Sequence, residues 1–203
     1  MTNSPNIVVR GVGINDGKFP TRSGDRNIKV YTQWQEMLRR CEEKYKEKRP
    51  TYSDCYVSES FKSYSFFYEW CHRQVGFGNK DDNGRFWHLD KDILVQGNKF
   101  YSEDTCCFVP QRINSLIVKS KVKPSSLYLG VTKRKGTSKF LAQCKIGGGK
   151  RVYLGSYNTP LEAFLAYKTF KEKLIKQTAE EYKEQIDPRA YTALINYKVE
   201  IND

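Results

Sequence analysis

Residues 127–167, LYLGVTKRKGTSKFLAQCKIGGGKRVYLGSYNTPLEAFLAY, decide the fold. Three runs of alternating character, 127–133, 139–146 and 150–155, are separated by the turns Lys135-Gly136-Thr137-Ser138 and Gly147-Gly148-Gly149. Alternation at a period of two marks strands with one covered face, and short glycine-containing links close antiparallel hairpins. The spacing therefore predicts a three-stranded antiparallel sheet. Thr159, Pro160 and Glu162 then form a helix start: a hydroxyl cap, a proline in the first turn where its missing N–H is not needed, and a carboxylate that completes a capping box. Ala163, Ala166, Tyr167, Phe170 and Leu174 return at helical spacing as a stripe able to cover the sheet. This helix is expected to reach Ile186, where Asp187-Pro188 stops it, and a last helix to occupy 189–197.

Alternation also divides the sheet by chemistry. Phe140, Ala142, Cys144 and Ile146 fall on one face of the middle strand, with Val152 and Leu154 beside them. The opposite face receives Lys139, Leu141, Gln143, Lys145, Lys150 or Arg151, and Tyr153, with Lys133 and Arg134 near the end of the first strand. Residues 119–176 hold fourteen Lys and Arg against two acids, Glu162 and Glu172, which accounts for the whole net charge of +12. A folded module with one cationic face attracts phosphate, and double-stranded DNA is the partner it suits best. In a major groove Arg reads guanine, Gln reads adenine and Lys neutralises phosphate.

At Tyr128-Leu129-Gly130-Val131, Arg134, Lys139-Phe140-Leu141-Ala142, Gly149-Lys150-Arg151-Val152-Tyr153-Leu154-Gly155, Thr159, Glu162-Ala163 and Ala166-Tyr167, the chain resembles the ethylene-response-factor (Apetala-type) DNA-binding domain. The resemblance implies a sheet docked in the major groove, with Thr132, Arg134, Gln143, Lys145, Arg151 and Tyr153 as DNA contacts and Phe140 in the core. Lys133 and Lys150 complete the expected contact set. The chain departs from the plant pattern at Leu129 and Thr132, where Arg is usual, and at Tyr153, where Trp is usual. The docking mode is therefore implied, and the base preference is not.

Upstream, residues 1–30 lack periodicity and are expected to form a flexible arm. Trp34, Met37, Leu38 and Cys41 predict a helix capped by Thr32 and ended by Pro50. A second helix is expected over 60–75, strands at 86–89, 92–95 and 105–109, and a short helix at 110–116. The lysine- and serine-rich stretch 119–126 reads as a linker between a unit at 31–118 and the sheet domain at 127–177, with a helical extension at 178–203. The expected fold class is α+β.

Trp87-His88-Leu89-Asp90-Lys91-Asp92, Gly97-Asn98, Tyr101-Ser102-Glu103, Cys106-Cys107-Phe108-Val109-Pro110 and Asn114 resemble the ββα motif of His-Asn-His (HNH) endonucleases of phages and mobile elements, including homing enzymes. Tyr31, Trp34, Met37, Arg40-Cys41, Pro50-Thr51-Tyr52, Cys55, Val57, Phe61, Phe67 and Trp70 extend it. The motif needs a general-base His, an Asn that orients it, and His, Asn or Asp ligands for one divalent ion. Lys91 stands in the place of the base, and a lysine of ordinary pKa near ~10.4 is protonated at neutral pH. The resemblance thus implies a degenerate unit that keeps DNA binding. In the alternative, an active nicking endonuclease, His88, Asp90 and Asn114 rebuild the centre around Mg²⁺ or Mn²⁺, with Asn98 as the orienting residue. A third alternative is a phage inhibitor that binds a host protein.

The six cysteines show no C-x-x-C pair and are expected as buried thiols, so zinc on Cys41, Cys55, Cys71 and Cys106 is not expected. No apolar run spans a bilayer, and residues 1–24 lack a signal-peptide core, which together predict a soluble intracellular protein. The resemblance to phage proteins implies the cytoplasm of a bacterial host.

Overall fold

The computed structural model describes residues 6–117, 127–147 and 149–201. The chain divides into two compact units, 1–109 and 110–203. It is α+β. The expected linker, 119–126, lies outside the described residues.

The first unit opens with β1 (Ile7–Val9) and β2 (Gly13–Asn15), an antiparallel pair, followed by the small hairpin β3 (Arg22–Ser23) and β4 (Arg26–Asn27). Part of the expected flexible arm is thus packed structure: Val9 and Asn15 are buried, and a Cβ on Gly13 would lie 2.4 Å from Leu38 and 2.7 Å from Trp34. Glycine at that point is what lets the strand touch the core. Next comes α1 (Lys29–Arg40), which buries Val30, Trp34, Met37 and Leu38, one face of a 3.6-residue period. Ile28 is its N-cap; Thr32 instead sits in the first turn and donates its hydroxyl to the Ile28 carbonyl at 3.2 Å. The expected single helix to Pro50 is broken at Glu42, whose extended backbone separates α1 from α2 (Glu43–Lys48).

Beyond the 3₁₀ turn Pro50–Tyr52 and β5 (Tyr56–Val57), the expected 60–75 helix is two helices, α3 (Glu59–Lys62) and α4 (Tyr64–Arg73). Each has its own serine cap: Ser58 accepts from the Phe61 N–H and Ser63 from the Phe66 N–H. Extended backbone at Ser63 is the price of the second cap. Trp34, Phe61, Tyr64, Phe67 and Trp70 interlock beneath them, and the Trp34 indole donates to the Phe61 carbonyl at 2.8 Å. The unit closes with β6 (His88–Asp90), β7 (Phe100–Tyr101) and β8 (Cys107–Val109). Strand β6 pairs antiparallel with β8, and β7 runs parallel to β5. Residues 92–95, expected as a strand, are bends, because the Asp90 carboxylate accepts from the N–H groups of Asp92 and Ile93 and turns the chain.

The second unit begins with α5 (Gln111–Ile117), which was expected to close the first. It buries Ile113 and Leu116 and packs against the sheet and helix that follow. That sheet has the order β11-β10-β9, with β9 (Val131–Lys133), β10 (Phe140–Gly147) and β11 (Lys150–Tyr157) all antiparallel. Helix α6 (Pro160–Glu181) crosses one face, and Ala163, Phe164 and Tyr167 bury Val131, Ala142 and Cys144. Its capping box forms as expected: Thr159 accepts from the Glu162 N–H, and the Glu162 carboxylate accepts from the Thr159 N–H, each at 3.2 Å. The helix stops at Tyr182, short of Ile186. Helix α7 (Pro188–Ile195), capped by Asp187, folds back on α6 and buries Ala190 and Leu194. Val199 joins the core, its N–H donating to Glu172 at 2.9 Å, so the C-terminal extension is part of this unit.

Candidate nucleic-acid interface

Register decides which side chains share the open face of the sheet. On β10 and β9, Leu141 lies opposite Thr132; on β10 and β11, Gln143 lies opposite Tyr153 and Lys145 opposite Arg151. Arg134 follows in the same row, with its N–H donating to the Lys139 carbonyl at 2.9 Å. Thr132, Arg134, Lys145, Arg151 and Tyr153 are exposed, Tyr153 by 58%, and Gln143 is half-buried. Lys133 and Lys150, grouped with them from sequence, occupy the other row: Lys133 is opposite Phe140 and Lys150 opposite Gly147. They are exposed, but at the ends of the helix-covered side.

Two irregularities set this register. Leu154 is an extra residue on β11 between the pairs Ala142–Gly155 and Gln143–Tyr153, and Ile146 is extra on β10 near the turn. The first bulge lets both Leu154 and Tyr157, three residues apart on one strand, pack against the core, where strict alternation would put them on opposite faces. Ile146, assigned from sequence to the row of Cys144, leaves the ladder instead. Between Asp104 and Glu162 the chain has no acidic residue, so nothing on the strands themselves offsets the cations. Lys133, Arg134, Lys135, Gly136, Thr137 and Ser138 line a shallow groove at the β9–β10 turn. Lys135 was not singled out from sequence, although a lysine in a turn flanked by Lys133 and Arg134 is itself a signal.

The hairpin of the first unit is arranged differently. The Lys91 ammonium is buried and donates to the Asn98 carbonyl at 2.8 Å and to the Asp92 carboxylate. It also lies 5.6 Å from the centre of the Tyr101 ring. The Asn98 carboxamide donates to the carbonyls of Lys91 and Phe100 at 2.8 and 2.7 Å and accepts from the Phe100 N–H. Asn98 thus ties the two ends of the loop together, and Lys91 fills the space between them.

His88 and Asp90 share a face of β6, two residues apart. Burial pushes the Asp90 carboxyl above its ordinary range. His88 is held below the ordinary imidazole value, first by burial and then by the charges of Lys29, Arg40 and Arg85. Asn114 belongs to α5, in the second unit. These residues do not fit a divalent ion: Asp90 spends one oxygen on two backbone N–H groups, and an ammonium occupies the neighbouring position. Among the described residues no three His, Cys, Asp or Glu side chains gather as a metal site, Cys41, Cys55, Cys71 and Cys106 included. Burial pushes the Cys41 and Cys106 thiols up to about 12, so both stay protonated. His72 lies on the exposed side of α4, bonded to the Tyr68 carbonyl at 2.7 Å.

On its other flank His88 faces a cleft of about 130 Å³ between α1 and residues 86–89, lined by Lys29, Gln33, Glu36, Arg40, Phe86 and His88 among others. Sequence reading missed it. Its signal was the polar row Lys29, Gln33, Glu36 and Arg40, which recurs at helical spacing along α1.

Comparison of the chain with protein-family models, curated proteins and solved structures finds no match. Among the described residues no helix is long and apolar enough to cross a membrane.

Proposed function

We propose that this chain binds double-stranded DNA, laying the open face of its three-stranded sheet in the major groove. The observation that carries the reading is the row Thr132, Arg134, Gln143, Lys145, Arg151 and Tyr153, exposed on one face of strands that contain no acid. Arg and Gln in that row supply base-reading donors and acceptors, and Lys supplies phosphate neutralisation. Helix α6 covers the opposite face and holds the strands in place, so little backbone order has to be gained on docking. The hairpin with Lys91 in place of a base is the remnant of a phage or mobile-element nuclease unit that has kept its loop and lost its cleavage centre. The site of action is the host cytoplasm.

Selection from a random duplex library, followed by salt titration on the enriched site, tests this. Affinity should fall by ~10³ or more between 50 and 200 mM salt if six or more phosphates are contacted. Arg134→Ala or Arg151→Ala should cost ~1–3 kcal/mol on that site where the arginine reads a base pair, and less on unrelated sequence. Absence of an enriched site together with a flat salt response would overturn the reading in favour of a protein partner. Nicking of supercoiled plasmid with Mg²⁺ or Mn²⁺ would replace it with the enzyme.

A further inference from the structure

We propose that the cleft between α1 and residues 86–89 is a second, separate binding site, which takes the phosphate group of a nucleotide unit. Three side chains facing it have unmet demands. Arg40 is half-buried, yet among the described residues it has no carboxylate partner: it donates one long bond, 3.3 Å, to the Tyr101 hydroxyl and stacks 5.9 Å from the Tyr52 ring. A guanidinium carries five donors, and withdrawing it from water without an anion is costly. Gln33 presents a buried Oε1 with no donor, while its amide N–H only reaches the Trp87 carbonyl at 3.5 Å. The His88 imidazole makes no hydrogen bond among the described residues.

The charges around the cleft favour an anion. Lys29 is exposed at the rim, with its ammonium 5.3 Å from the centre of the Phe86 ring and no carboxylate partner. The two nearby acids are already committed, Glu36 to Arg39 and Asp81 to Arg85. The volume, about 130 Å³, suits a phosphate-sized group and is well below the ~300–1,000 Å³ of pockets that enclose a drug-sized ligand. Phosphate oxygens meet the planar fork of Arg40, while Lys29, at the other end of α1 and ~16 Å away along the helix axis, is a point charge for the outer part of the nucleotide strand. The donor that Gln33 lacks comes from a hydroxyl or amine beside the phosphate, which a nucleotide carries and a bare oxyanion such as sulfate does not. The rest of the ligand lies outside, over Phe86, which is 38% exposed.

The chain has two histidines, so His72 on α4 serves as an internal control for His88 in a proton NMR titration of the whole protein. Inorganic phosphate should shift the His88 ring signals saturably and leave those of His72 in place. Arg40→Gln should weaken that response by ~10-fold, and Lys29→Gln should weaken the response to a 5′-phosphorylated dinucleotide by as much, as expected for loss of one charge-assisted contact; Arg151→Ala should change neither. Lys29 is exposed, so its variant keeps the test valid where Arg40→Gln fails to fold. A 5′-phosphorylated dinucleotide should bind more tightly than inorganic phosphate. Tighter binding of the dinucleotide than of a free mononucleotide assigns the phosphate to nucleic acid, and the reverse order assigns it to a free nucleotide. No saturable shift, equal movement of His72, or a dinucleotide response that Lys29→Gln leaves at full strength overturns the proposal. A response lost in Arg151→Ala also overturns it, because the phosphate then sits on the sheet.

Discussion

The Lys91 ammonium, the Asn98 carboxamide and the Asp90 carboxylate each satisfy main-chain groups of one loop, so substitution at these positions is expected to act on stability. Lys91→Met keeps the length of the side chain but leaves the Asn98 carbonyl without its donor. It should cost ~1–3 kcal/mol, the penalty for a buried polar group left unpaired, read from urea unfolding. Asp90 and His88 make opposite contributions to pH dependence. Because the Asp90 carboxyl is raised above 3.8 in the folded state, folding favours its protonated form. Its contribution is full below the unfolded value and is lost as pH rises through the folded one. His88 is depressed below 6.5, so its contribution is full above that value and lost as pH falls through the folded one. Asp90→Asn, which preserves an acceptor for Asp92 and Ile93, should flatten the stability profile above pH ~4, and His88→Gln should flatten it below pH ~6.5. Urea midpoints across that range check both; an unaltered slope in either variant assigns the dependence elsewhere.

Among the elements, α6 has the clearest cause. Thr159→Ala removes the acceptor for the Glu162 N–H and should cost about 1 kcal/mol in chemical denaturation, with Thr159→Ser recovering most of it. This start was legible in sequence because capping is local: the residues that make it lie within four positions. The strands of the sheet were legible for the same reason, since alternation records burial one residue at a time. What was not legible depends on partners distant in sequence. The bulge at Leu154 exists only in the register between β10 and β11, and it moves residues between rows without any change in the composition of either strand. Lys133 and Lys150 were misplaced for another reason: they were grouped with the open row by charge, although alternation from Arg134 and Arg151 puts them on the other one. The N-terminal hairpin was missed because Gly13, a residue that reads as looseness, is required by the indole of Trp34. The first helix was continued past Arg40 because charged residues with good helical propensity carry no stop signal. For the candidate interface, six of the eight expected residues share the open row, whereas the expected metal ligands were chosen from the motif resemblance and from a shared strand face, which say nothing about hydrogen bonds already made.

At the scale of the whole molecule, each unit encloses its own apolar core, and all three tryptophans, Trp34, Trp70 and Trp87, lie in the first. Leu194 is buried in the second, where α7 meets α6. Leu194→Ala should cost ~2–4 kcal/mol there. It should lower the unfolding midpoint seen by far-ultraviolet circular dichroism while the tryptophan fluorescence midpoint stays in place. Equal shifts of both signals would mean that the two units unfold as one.

The length of the open row also limits how much sequence it can inspect. From the level of Arg134, beside Lys139, to Lys145 the middle strand extends ~20 Å at ~3.3 Å per residue, about six base-pair steps at ~3.4 Å each. A six-letter word recurs about once in ~4,000 positions of random sequence, against the ~10⁶–10⁹ competing sites of a genome. On the proposed reading, one sheet can therefore recognise a kind of sequence but cannot find a unique address. Any such address has to be spelled out by further contacts or by further copies of the chain.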